Sequence, residues 1–88
     1  MRRGVRIEVD PGLARPERAA LVIFQKFQVT RPGGCLTLEH FLDNTDFVGL
    51  SWFELERGIS GLVRRGFLRP TRIPRDAWML TDAGAEAL

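Results

Sequence analysis

The sequence predicts an α+β domain, mostly helical, on three observations. Apolar residues recur at helical spacing in separate segments, most clearly Ala20, Ile23, Phe24 and Phe27 at i, i+3, i+4 and i+7. Strand-like segments occur at both ends, with Val5, Ile7 and Val9 in strict alternation near the start. The length, 88 residues, admits one modest core, because a chain of this size buries roughly 60–65% of its unfolded surface.

Taken in order, Val5, Ile7 and Val9 alternate with Arg6, Glu8 and Asp10, and Pro11-Gly12 stops the strand. Residues 1–12 therefore read as an N-terminal arm and 13–88 as the folded domain. A first helix is expected from Pro16 to Val29, with proline tolerated in the first turn and Arg31-Pro32-Gly33-Gly34 as the stop. Cys35-Leu36 is a short extended piece leading to Thr37, a good N-cap. Leu38, Phe41 and Leu42 give the buried stripe of a second helix that ends near Asn44. Thr45 to Leu50 reads as a turn anchored on the core by Phe47, Val48 and Leu50. Ser51 opens the third helix, since Ser51 and Glu54 have capping-box spacing, and Gly66 closes it. Phe67 to Arg72 and Ala77 to Thr81 read as strands joined by Ile73-Pro74-Arg75-Asp76. Pro70 has no N–H to donate and belongs on an edge or at a bulge. Thr81-Asp82 caps a last helical turn, Ala83 to Leu88.

Composition excludes several classes of function. The longest apolar run, Ala19 to Phe24, is far below the ~18 residues of a membrane span, so no membrane partner is expected. No signal-peptide apolar block follows the opening MRRG, and a single cysteine, Cys35, excludes an intrachain disulfide. A cytoplasmic location follows as the expectation. The lone His40 and Cys35 have no further ligand cluster, and no nucleophile–base pattern or phosphate-binding glycine loop is present. The sequence therefore predicts no catalytic site, no metal and no cofactor, with His40 as a surface helix residue.

The third helix is where function is expected. Leu55, Ile59 and Leu62 share one face and point inward, with Trp52 beside them. Diametrically opposite lie Phe53, Arg57, Ser60 and Arg64, the stripe a ligand would meet. Glu54 and Glu56 fall on opposite flanks. Gly58 and Gly61 each cost about 1 kcal/mol against alanine inside a helix, which calls for a reason. Three readings are open: close approach of the second helix, close approach of a phosphate backbone, or glycines that arose by neutral drift. Phe53 has three: a thymine-methyl contact, an anchor for a protein partner, or a residue covered by the turn before it.

Charge is segregated along the chain. Between Leu36 and Glu56 stand Glu39, Asp43, Asp46, Glu54 and Glu56 with no basic residue; between Arg57 and Arg75 stand Arg57, Arg64, Arg65, Arg69, Arg72 and Arg75 with no acid. The arm adds Arg2, Arg3 and Arg6. Basic clustering governs nucleic-acid affinity more than net charge does, and arginine suits phosphates and base edges.

A helix-turn-helix followed by a hairpin is the winged-helix arrangement. LVRRGFL (Leu62 to Leu68) resembles the exit of the recognition helix in MarR-like transcriptional regulators, and LTDAG (Leu80 to Gly84) resembles the family's L-T-x-x-G after the second wing strand. The stretch DNTDFVGL between the second and third helices is longer than usual for that family. The resemblance implies a three-helix core with a β-hairpin wing, binding double-stranded DNA in transcription regulation. Phe53, Arg57, Ser60 and Arg64 would then face the major groove, and Arg69, Arg72 and Arg75 the backbone or minor groove. The alternative is a winged-helix protein-interaction module within a DNA- or RNA-handling complex, anchored through Trp52 and Phe53. A homodimer formed through the arm strand Val5 to Val9 is a further expectation.

Overall fold

The structure, a computed structural model, describes residues 12–73 and 75–88. The arm strand at Val5 to Val9 and its arginines Arg2, Arg3 and Arg6 lie outside the described residues. The chain runs α1 (Arg15–Lys26), β1 (Cys35–Thr37), α2 (Leu38–Leu42), α3 (Thr45–Val48), α4 (Trp52–Arg64), β2 (Leu68–Pro70), β3 (Ala77–Leu80) and α5 (Asp82–Glu86). It is a small α+β domain, about half helical, with one three-stranded antiparallel sheet in the order β1-β3-β2.

α1 carries the expected apolar face: Ala20, Leu21, Ile23 and Phe24 are buried. It stops three residues earlier than its periodicity suggests. Gln28 adopts a left-handed conformation (φ 59°), and Val29 N–H and Gln28 N–H return to the carbonyls of Phe24 and Gln25 (2.9 Å each). That is a Schellman closure with glutamine where glycine is usual. Phe27, freed from the helix stripe, sits edge-on to His40 with centroids 4.8 Å apart and stays partly exposed. His40 itself is half-buried, and its Nδ1 accepts the Thr37 N–H at 3.0 Å, so it helps cap α2 instead of lying free on the surface.

The stretch read as a turn contains α3, ended by Gly49 at φ 72°. Leu50 anchors it in the core and Val48 packs against the core, but Phe47 does not: it is 53% exposed, with the Lys26 ammonium 4.5 Å above its ring. Leu42 likewise lies outside, so Phe41 is the fully buried side chain of α2. Asn44 ties this corner together. It is buried, accepts a hydrogen bond from Lys26 Nζ and donates one to the His40 carbonyl at 2.7 Å.

The sheet closes the other side. β3 is central, pairing Leu36 with Trp78 on one edge and Pro70 with Trp78 on the other, so Pro70 stands on an edge strand as its missing donor requires. Both strands of the hairpin are shorter than expected. Trp78 meets Phe41 edge-on at 5.6 Å, and Phe41 meets Phe24 at 5.8 Å, linking sheet, α2 and α1 in one aromatic chain. Gly66 (φ 80°) follows α4 and turns the chain into β2. Thr81 caps α5: its hydroxyl accepts the Gly84 N–H at 3.0 Å and donates to the Gly66 carbonyl at 2.6 Å.

Candidate functional site

α4 begins as its sequence dictates. Ser51 Oγ accepts the Glu54 N–H at 3.2 Å, and Glu54 Oε1 accepts the Ser51 N–H at 3.1 Å. The Ser51 N–H, and after it the Ser51 hydroxyl donating to Glu54 Oε1 at 3.2 Å, hold the Glu54 carboxyl below its ordinary pKa. Leu55, Ile59 and Leu62 are buried, which fixes the helix's rotation about its axis. Phe53, Arg57, Ser60 and Arg64 are consequently all exposed along the opposite side. Trp52 is half-buried against the core. Phe53 is 68% exposed, so the turn before it does not cover it.

Gly58 and Gly61 are both buried, and the element that approaches them is α1, not α2. A Cβ at Gly58 would lie 2.8 Å from Glu17 N and nearer still to the Pro16 carbonyl group. A Cβ at Gly61 would strike the Glu17 carboxylate. The two glycines are thus the seam along which the first turn of α1 lies against α4. The phosphate reading of these positions is replaced by helix packing.

This seam carries an interaction that sequence reasoning missed. Glu17, only 7% exposed, accepts the Ala14 N–H through Oε1 (2.8 Å) and Arg65 Nε through Oε2 (2.9 Å). Desolvation pushes the Glu17 pKa up, but hydrogen bonds from Arg65 and Ala14 and the charges of Arg65 and Arg64 prevail, leaving it below its ordinary value. Glu17 is thus both the N-terminal cap of α1 and the anchor of an arginine on α4. Sequence signals were present in the glycine pair and in Arg65 four residues after Gly61, but they did not name the partner.

The seven residues expected to touch a ligand fall into four neighbourhoods. Arg57 and Arg64 line a concavity of about 460 Å³ between the start of α1 and α4, together with Glu17, Glu54 and Arg65. Phe53 and Ser60 lie outside it on the outer face of α4. Arg72 and Arg75 line a depression at the hairpin with Asp76 and Trp78. Arg69 projects from the edge strand β2 beside Gly66 and Met79. Among the described residues Arg57, Arg64, Arg69, Arg72 and Arg75 form no ion pair. The acids are placed unevenly against them. Glu39 shares a depression with Arg75 and Asp76, whereas Asp43 and Asp46 flank the Asn44 corner at the far end of α1.

Among the described residues no group of three or more His, Cys, Asp or Glu side chains could hold a metal ion, and no helix is long and apolar enough to cross a membrane. No protein-family model, curated protein or solved structure matches the chain.

Proposed function

We propose that this domain is a winged-helix DNA-binding module acting in transcription regulation. One observation carries the reading: five arginines, Arg57 and Arg64 on α4 and Arg69, Arg72 and Arg75 on the hairpin, stand exposed with no ion pair among the described residues. Unpaired exposed arginines on a helix and a neighbouring hairpin are what a duplex backbone requires. The element order and the β1-β3-β2 sheet support the same reading, because they place a hairpin directly after the helix that would enter the major groove. In this arrangement Ser60 contacts a base edge, and Phe53 meets a thymine methyl.

The test is a salt titration of binding to a random-sequence duplex. Each neutralised phosphate contributes about −0.9 to the log–log slope, so four or five contacts give a slope of roughly −4. No binding at low salt sinks the proposal. The Arg72→Ala, Arg75→Ala double variant should weaken binding to all sequences alike; unchanged affinity removes the hairpin from the interface.

The exposure of Phe53 favours one second reading, a protein-interaction module whose partner seats that ring. The two readings part on Phe53→Ala. As a thymine contact, Phe53 changes preference among duplex sequences; as a protein anchor, it leaves all duplex binding untouched.

A further inference from the structure

The concavity between α1 and α4 holds more positive charge than its own carboxylates neutralise. Arg57, Arg64 and Arg65 line it, and so do Glu17 and Glu54. Both carboxylates have other partners. Glu17 accepts from Ala14 N–H and Arg65 Nε, and Glu54 accepts from the Ser51 N–H and hydroxyl. Neither pairs with Arg57 or Arg64. Because Gly58 and Gly61 have no side chains, α1 lies low against α4 and the seam forms the floor between these arginines. Arg57 and Arg64 are seven residues apart, about 10 Å along the helix axis, a span two long side chains can close around one ligand. Arginine binds phosphate bidentately, and the grip of Glu17 on Nε fixes where the Arg65 guanidinium stands.

We propose that this cleft is a phosphate-binding site, with Arg57 and Arg64 as the contacting groups and Glu17 as the positioning residue that holds Arg65 at its wall. The phosphate has two sources: a duplex backbone, for which the inference rests on the DNA reading above, or a free phosphorylated ligand, for which it does not.

The experiment follows the arginine Nε–H signals and the Gly58 and Gly61 amides of the full chain by NMR. One titration uses inorganic phosphate against chloride at matched ionic strength, and another a short random-sequence duplex. If the duplex moves the Arg57, Arg64 and Arg65 signals, the cleft holds a backbone phosphate. If phosphate moves them and the duplex does not bind, the cleft inference stands and the DNA reading falls. If the duplex moves the hairpin signals of Arg72 and Arg75 while the cleft signals stay still in both titrations, the cleft inference is overturned and the DNA reading survives. Silence in both titrations overturns both. Where the duplex binds, Arg64→Ala, at an exposed position that does not enter the core, should reduce the log–log salt slope by about one. An unchanged slope overturns the assignment of Arg64. Glu17→Gln should shift the Arg65 Nε signal and change its response to phosphate, with the fold retained by circular dichroism; an Arg65 signal and phosphate response identical to the parent's remove Glu17 from the site.

Discussion

Replacing Gly58 by alanine tests the seam on which the whole site is built. A methyl group there is favoured by intrinsic helix propensity by about 1 kcal/mol, so an open position would be stabilised. The position is closed: the added Cβ would lie 2.8 Å from Glu17 N and closer to the Pro16 carbonyl group. These are backbone atoms of the first turn of α1, and proline restricts how that turn can yield. Relief therefore requires α1 to lift from α4 along the seam at Gly58 and Gly61. Overpacking of this kind costs about 1–3 kcal/mol and occasionally more. Because the obstruction is backbone and not a flexible side chain, the upper part of that range, about 2–3 kcal/mol, applies. After the propensity gain of about 1 kcal/mol, a net loss of about 1–2 kcal/mol is expected, which lowers Tm by roughly 5–15 °C in a domain of this size.

The assay is thermal and urea unfolding followed by circular dichroism, with Gly61→Ala as the internal contrast. The atom in the way of a Gly61 methyl is the far end of the Glu17 side chain, which can swing aside. Gly61→Ala should therefore cost less than Gly58→Ala, with the loss confined to the Glu17–Arg65 pair. A Gly58→Ala variant as stable as the parent would refute the close approach of α1, and with it the floor of the cleft.

Two further expectations follow from individual residues. The Glu17 pKa is lowered in the fold, so its contribution is fully present above its ordinary value of 4.5 and is lost as pH falls through the lower folded value. Glu17→Gln should be destabilised by about 1–2 kcal/mol at pH 7, since the hydrogen-bonded pair is partly buried with Arg65 half-exposed. That gap should narrow in urea melts at pH 3; a constant gap would show that the Glu17 charge is not the source. Gln28→Gly relieves a left-handed glutamine at the end of α1 and should raise stability by about 0.5–1 kcal/mol. A lower Tm for Gln28→Gly would mean that the Gln28 side chain holds the turn by contacts outweighing its backbone cost.

The parts of the fold written in local patterns were legible in the sequence. The Ser51–Glu54 box set the start of α4, Thr37 and Thr81 set the starts of α2 and α5, and the spacing of Leu55, Ile59 and Leu62 set which side of α4 faces out. The misreadings arose where a local rule admitted two outcomes. Periodicity carried α1 to Val29, but Gln28 took the left-handed turn without the glycine that would have signalled it. Thr45 to Val48 has too few residues to show a helical period, so α3 read as a turn, and its Phe47 as a core residue. The glycine pair in α4 announced a close approach. The identity of the approaching element is a long-range fact, set by Pro16 and Glu17 more than forty residues away.

The acidic stretch that precedes α4 bears unequally on the two groups of arginines. Asp43 and Asp46 flank Asn44, which Lys26 holds at the C-terminal end of α1, whereas the Arg57–Arg64 cleft opens at its N-terminal end. Twelve residues of helix separate the two ends by roughly 18 Å, about twice the Debye length at physiological ionic strength. Repulsion between those acids and a phosphate in the cleft is therefore largely screened. The hairpin has no such distance: Arg75 shares its depression with Glu39 and Asp76. A polyanion approaching Arg57 and Arg64 is thus screened from Asp43 and Asp46, and the acids it meets there are Glu17 and Glu54, which are already hydrogen-bonded to Arg65, Ala14 and Ser51. The hairpin offers three arginines, Arg69, Arg72 and Arg75, and the acids that oppose them, Glu39 and Asp76, stand beside Arg75.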